Sequence, residues 1–229
     1  MRQRGSEDGA RGSDGAQGGG AKGAGAAAGG HPFEITGGAL CLDLANTVDN
    51  RPTGRRRDYL ATYDDLVSWG MQAGALTRDE AAGLRTRARR DPAQARRALA
   101  GTLKAREAIF AIFSAEAQGR RPSPEALATF ETALPGALAR LRLRRGAGGY
   151  ELAWPDESHL DRVVWPALRS AAELLTSAEL RLIRLCASET CDWLFLDRSR
   201  NQSRRWCNMK VCGNRHKVRE HYLRRRGAG

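Results

Sequence analysis

Four cysteines fall within 27 residues as two equally spaced pairs, Cys186-x4-Cys191 and Cys207-x4-Cys212, with fifteen residues between the pairs. Two short knuckles at this separation can each place two thiolates on one side of a tetrahedral ion, which makes a structural Zn²⁺ site of Cys186, Cys191, Cys207 and Cys212 the strongest single expectation for the chain. Disulfides are the competing reading. A reducing compartment keeps thiols free, however, and a redox dithiol more commonly has two intervening residues than four. His216 and His221 follow Cys212 closely enough to offer a two-Cys, two-His alternative. That choice would strand Cys186 and Cys191, and it would recruit His221 from well inside an expected terminal helix. The fifth cysteine, Cys41, lies far upstream among apolar residues and reads as a small buried hydrophobe.

Charge concentrates around the same segment. The 229 residues carry 38 Lys+Arg against 26 Asp+Glu, a formal net charge of +12. Arg outnumbers Lys 34 to 4, so part of the excess reflects composition, and only its location is informative. Residues 186–229 hold eleven basic and four acidic side chains, +7, and four thiolates on one Zn²⁺ lower that to about +5. The sign favours a polyanionic partner. Arg198, Arg200, Arg204 and Arg205 form a basic loop, and Arg215, Lys217, Arg219 and Arg224 to Arg226 a basic helix, all candidates for phosphate contact. One or two of these arginines are expected to pair with Asp192, Asp197 or Glu220, or to bond the cysteine sulfurs.

Between the pairs, Trp193, Phe195 and Trp206 supply an apolar cluster, with Trp193 to Leu196 read as a buried strand of a small hairpin. After Cys212 a helix to about Arg226 is expected to lay Val211, Val218 and Tyr222 over that cluster. A knuckle, a hairpin and a helix together describe a treble-clef-like zinc fold in which the metal replaces most of the core.

Upstream, residues 1–30 hold 11 of the 26 glycines and no aliphatic side chain larger than Ala, the composition of a flexible tail. Phe33, Ile35, Leu40, Leu42 and Leu44 alternate with small or polar residues and predict a short extended segment broken at Gly37-Gly38. Helices are predicted from Tyr63 to Gly74, after a capping box at Thr77 and Glu80, from Pro92 to about Gln118, and from Ser123-Pro124. Leu138–Arg144 and Tyr150–Trp154 read as a β-hairpin, and a helical stretch from about Glu157 to Leu185 is expected to break at Pro166 and Thr176-Ser177. The fold class is α+β, mainly helical with a small sheet or hairpin, in three parts: the tail at 1–30, a domain at 31–180 and the finger at 181–229.

The finger resembles the bacterial CGNR zinc-finger family through Phe195-Leu196-Asp197-Arg198-Ser199-Arg200-Asn201, Ser203-Arg204-Arg205-Trp206-Cys207 and Cys212-Gly213-Asn214-Arg215. Gly37 to Thr47 and Tyr63-Asp64-Asp65-Leu66 resemble the ABATE domain that precedes this finger. The resemblance implies an α+β ABATE domain followed by a treble clef, with Cys186, Cys191, Cys207 and Cys212 as zinc ligands. It also implies a role as a stress-linked transcription regulator that binds DNA through the finger.

A zinc-finger module for protein contact, RNA or single strands, with Trp193 or Trp206 exposed for stacking, is the alternative. An enzyme is not expected: Asp43, Asn46 and Asp49 lack a nearby His, an activated nucleophile or a phosphate loop, and serve equally well as caps. With no apolar run of membrane-spanning length and no apolar signal core, the expected location is the cytoplasm. Residues 31–180 are left for an effector or protein partner, or for pairing into a homodimer.

Overall fold

The computed structural model describes residues 33–146, 148–155 and 159–226, with the His221 side chain excepted. The tail expected at 1–30 and the helix start expected at Glu157 lie outside these residues.

The expected helices form, and their ends follow from capping chemistry. Thr62 and Asp65 close a capping box at the start of α2 (Tyr63–Gln72), and Thr77 and Glu80 do the same for α3 (Arg78–Arg90), satisfying amides that have no intrahelical partner. Asp91 accepts from the Gln94 amide ahead of Pro92 to open α4 (Pro92–Ala117), and Ser123 accepts from the Ala126 amide ahead of Pro124 to open α5 (Pro124–Leu138). The core stripe expected on α4 is buried at Ile109, Ile112 and Phe113. α5 packs along α4, and α6 (Trp165–Leu175) packs against α5.

The first expectation to fail is the extended segment. Leu40–Ala45 is a short helix, α1, packed between α4 and α6. Cys41, Leu42, Leu44 and Ala45 are all buried, so the apolar residues mark burial on every side rather than one face of a strand. Cys41 is the buried hydrophobe expected, and desolvation pushes its thiol up to about 12. Ahead of the helix, the Gly37 amide donates to Asp43 Oδ1 at 2.7 Å. A two-residue ladder, β1 (Val48–Asp49) with β2 (Arg57–Asp58), follows. Arg106 of α4, 1% exposed, ties this ladder down with bonds of 2.7 and 2.6 Å to Asp58 and 3.2 Å to Thr47 Oγ1.

The hairpin predicted near Gly146 is present as β3 (Arg142–Gly146) antiparallel to β4 (Gly149–Ala153), solvent-exposed along most of its length. The last stretch breaks more often than expected. A 3-10 turn at Leu160–Val164 precedes α6, Pro166 sits in the first turn of α6, and Thr176 caps its end. A second 3-10 turn at Ala178–Leu182 then leads into strand β5 (Ile183–Leu185).

β5 pairs antiparallel with β6 (Leu194–Leu196), matching Ile183 to Leu196 and Leu185 to Leu194. The buried strand is therefore where it was expected, but its partner lies before Cys186, so the hairpin encloses the first cysteine pair instead of standing between the pairs. β6 faces two cores: Leu194 and Leu196 belong to the main helical core, while Phe195 belongs to a second cluster with Trp193, Trp206 and the four cysteines.

A π-type turn at Met209–Gly213 runs into the terminal helix α7 (Asn214–Arg226). The expected cover of the second cluster by Val211, Val218 and Tyr222 does not form; all three are exposed. His216 takes that place, its ring centroid 4.8 Å from that of Trp206. The architecture is the α+β class read from the sequence, a helical body with two-stranded ladders and a cysteine-rich finger of hairpin, loop and helix at its C-terminal end.

Candidate metal centre and nucleic-acid surface

The first cysteine pair is placed by the β5–β6 hairpin. The Cys186 amide donates to the Trp193 carbonyl at 2.9 Å, the Cys191 amide turns back to Ser188 at 3.0 Å, and Asp192 takes a left-handed conformation, φ 56°, that reverses the chain. The second pair is placed by the loop after β6 and by the π-type turn, where the Cys212 amide donates to Asn208 at 2.9 Å and the Asn208 side chain accepts from the Lys210 amide. Gly213 gives close packing next to Cys212: a Cβ there would stand 3.2 Å from Trp206 and would push aside the exposed Met209 side chain.

These elements bring the four Sγ atoms within 4.8 Å of one another, with Cys191 to Cys207 at 3.6 Å and Cys207 to Cys212 at 3.7 Å. Four sulfurs at about 2.3 Å from a tetrahedral Zn²⁺ stand about 3.8 Å apart, so the donor set matches the ion in number, softness and spacing. The separations are far beyond the roughly 2.05 Å of a disulfide. All four residues are at most 6% exposed. Crowding four buried thiols together opposes ionising all of them at once, since each thiolate raises the cost of the next. Four adjacent thiolates need a compensating cation, which Zn²⁺ supplies. Among the described residues no histidine joins the group.

The loop between β6 and Cys207 is fastened by Asp197, fully buried, which accepts from the Ser199 amide at 3.0 Å, the Ser199 hydroxyl at 2.5 Å and the Arg204 amide at 2.8 Å. Sequence reasoning took Asp197 for a counter-ion of an arginine; its neighbours at i+2 and i+7 are the backbone it binds.

The basic candidates separate by what each guanidinium does. Arg198 is bonded to Glu179 at 2.6 and 2.8 Å and to the Gly38 carbonyl at 3.0 Å, joining the finger to the helical body. Arg204, an exposed residue, lies back over the finger with its guanidinium 4.5 Å above the Phe195 ring, and donates to the carbonyls of Trp206 and Cys207. Arg219 pairs with Glu189. The arginines thus find Glu179 and Glu189, not the Asp192, Asp197 or Glu220 expected. All eight candidates are exposed, and Arg200, Arg205, Arg215, Lys217 and Arg224 make no ion pair among the described residues; Arg215 donates to Thr190 Oγ1 at 2.8 Å, Arg224 to the Glu220 carbonyl at 3.4 Å, and Arg205 lies over Trp206 at 5.2 Å.

Trp193 and Trp206, 9% and 7% exposed, are packed around the cysteines, and the Trp193 indole donates to the Val48 carbonyl at 2.9 Å. Of the polar trio upstream, Asp43 binds the Gly37 amide, Asn46 binds Leu194 and Asp49 binds the Asn50 amide, each a backbone partner. No described helix is long and apolar enough to cross a membrane.

Comparison with known families finds two matches in this order. Residues 38–178 match the ABATE family, described as "Putative stress-induced transcription regulator", and residues 182–225 match the CGNR zinc finger. A search of curated proteins finds no match. The chain belongs to the ABATE family and carries a CGNR zinc finger, whose four cysteines lie close enough together to bind one zinc ion.

Proposed function

We propose that this is a zinc-dependent regulator that binds duplex DNA through the finger, with one Zn²⁺ held by Cys186, Cys191, Cys207 and Cys212. The observation that carries the reading is the exposed basic surface on a metal-ordered loop and helix: Arg200, Arg205, Arg215, Lys217 and Arg224 stand outward while the aromatic residues face in. Arg198, Arg204 and Arg219 from the original candidate set are assigned to holding the finger together, because a carboxylate engages Arg198 and Arg219 and two backbone carbonyls engage Arg204, whereas Arg215 and Arg224 each give up one donor to a single neutral oxygen. Phosphate contact by several arginines gives affinity and salt dependence without base specificity.

Burial of Trp193 and Trp206 removes the stacking platform that single-strand or RNA recognition by these residues would use. Competition of duplex against single-stranded DNA for zinc-loaded protein at low salt tests the choice, with preference for the duplex expected. Preference for single strands would favour the alternative. One feature supports protein contact by the same helix: Val218, Tyr222 and Leu223 are exposed on α7. Duplex binding that is absent in zinc-loaded protein would favour that role. The remaining domain, residues 31–180, is assigned to sensing a signal or to assembly.

A further inference from the structure

The β1–β2 ladder ends in a basic tip outside the finger. Residues 50–57 read Asn-Arg-Pro-Thr-Gly-Arg-Arg-Arg, with four arginines and no acid. Local chemistry holds the tip in one shape. Asn50 and Gly54, at φ 56° and 68°, bracket a 3-10 turn at Arg51–Thr53, and Thr53 Oγ1 donates to the Asn50 carbonyl at 3.1 Å and accepts from the Arg55 amide at 3.3 Å. The four arginines divide by what they touch. Arg51 and Arg56 both bond Glu107, and Arg51 lies 4.0 Å from the Phe110 ring centroid, so these two fasten the tip to α4. Arg55 and Arg57 are exposed and make no ion pair among the described residues, Arg57 lying 4.9 Å over the Tyr59 ring. Asp49 stands opposite Arg57 in the ladder but accepts from the Asn50 amide at 2.9 Å.

The tip and the finger's helix meet the same knuckle. The Trp193 indole donates to the carbonyl of Val48, one residue before the Asp49–Arg57 rung, while Arg215 of α7 donates to Thr190 Oγ1. Thr190 and Trp193 are three positions apart, so their Cα atoms are separated by at most about 11 Å. That distance is well inside the ~34 Å of one duplex turn, along which a negative charge falls every ~1.7 Å of axis. A duplex lying on the exposed arginines of α7 is therefore within reach of the tip.

We propose that the β1–β2 tip is a second DNA-contacting element, in which Arg55 and Arg57 each bind a phosphate of the duplex held by the finger. The assignment rests on the duplex-binding reading of the finger and deepens it, since the helical domain then contributes to the footprint. The bracketed tip is already ordered, so little conformational freedom is lost on contact. Phosphate contacts from two separate elements fix the orientation of the protein on the duplex and carry no base preference of their own.

Duplex affinity of the zinc-loaded full chain across a salt series, with DNA about three helical turns long, tests the assignment. Arg55→Ala and Arg57→Ala are each expected to lower the log–log slope by about 1, and the double substitution by about 2, at unchanged zinc content and thermal midpoint. Arg145→Ala, which removes an exposed arginine from the β3–β4 hairpin, is the control and is expected to keep the wild-type slope. Wild-type duplex binding whose slope neither tip substitution alters, or whose slope falls equally in Arg145→Ala, would overturn the second contact and leave the finger's own binding standing. Absence of duplex binding by the wild-type protein would overturn both readings, so the two failures are told apart by the wild-type measurement alone.

Discussion

The Asn46 side chain grips the backbone of Leu194 from both sides: its Nδ2 donates to the Leu194 carbonyl and its Oδ1 accepts from the Leu194 amide, each at 2.9 Å. Both groups are buried, and the adjacent Trp193 indole reaches the Val48 carbonyl. The strand that carries the finger's aromatic cluster is thereby hydrogen-bonded to the end of α1, so the finger is built onto the helical body.

Asn46→Ala leaves the Leu194 amide and carbonyl buried without partners, and a loss of roughly 2–4 kcal/mol in folding stability is expected. Asn46→Asp retains the acceptor but turns a second oxygen toward the Leu194 carbonyl and buries a charge, and is expected to be at least as destabilising as alanine at neutral pH. Chemical denaturation measures both. An alanine variant as stable as wild type would show that the bracket contributes little.

Removal of the metal should act unevenly. Chelation, or Cys191→Ser, is expected to release zinc and to open the amides of Ala187, Cys191 and Cys212 to hydrogen exchange, while the amides of α4 and α6 stay protected. Their packing involves no sulfur of the cluster. Metal analysis is expected to give one equivalent per chain, unchanged in His216→Ala. Zinc retained at one equivalent by Cys191→Ser would refute the four-cysteine assignment.

Burial raises the Asp43 carboxyl to about 6 from an ordinary value of 3.8. A folded state that holds its proton more tightly than the unfolded chain loses stability as pH rises between those two values, by about 3 kcal/mol at most for this shift. Asp43→Asn keeps an oxygen to accept from the Gly37 amide and removes the buried charge. It is therefore expected to match wild type near pH 4 and to exceed it above pH 6. The difference between the two proteins is the readout, since loss of zinc in acid affects both alike. A constant difference across that range would contradict the assigned shift.

The Arg106–Asp58 pair has the opposite sign. Burial disfavours the Asp58 carboxylate, but the Arg106 guanidinium outweighs it and holds the carboxyl below the usual range. The pair's contribution is present above the unfolded value and is lost as pH falls through the folded one. Asp58→Ala removes the bidentate partner of the buried Arg106 and leaves it Glu107 and Thr47 Oγ1, so it is expected to cost about 1–3 kcal/mol, whereas Arg106→Met with Asp58→Ala is expected to recover part of that loss. Denaturation midpoints of the single and double variants measure it.

Local chemistry was legible in the sequence where the partners are near in the chain. The box at Thr77/Glu80, the proline opening α4, and the two cysteine knuckles all involve neighbours within a few residues, and the box at Thr62/Asp65 was equally local but was not picked out. What was misread depends on distant partners. Leu40–Leu44 alternates like a strand because nothing local reveals that α4 and α6 cover it from both sides. The stripe of Val211, Val218 and Tyr222 is real in spacing, but His216 is what reaches Trp206. Arg198 finds Glu179 and Arg219 finds Glu189 across 19 and 30 residues, pairings no spacing rule supplies. Arg162, one polar residue beside Val163 and Val164, gave no sequence signal of its burial.

The most direct test of the central claim is the salt dependence of duplex-DNA affinity for zinc-loaded protein, with Arg200→Ala, Arg205→Ala and Arg215→Ala compared at equal zinc content. Affinity is expected to fall as salt rises, and each substitution that removes a phosphate contact is expected to lower the log–log slope by about 1. Arg198→Ala, which breaks an intramolecular clamp, is expected to lower stability and leave the slope unchanged. Absence of duplex binding at low salt by fully zinc-loaded protein, or a slope that none of the three exposed arginines alters, would contradict the account.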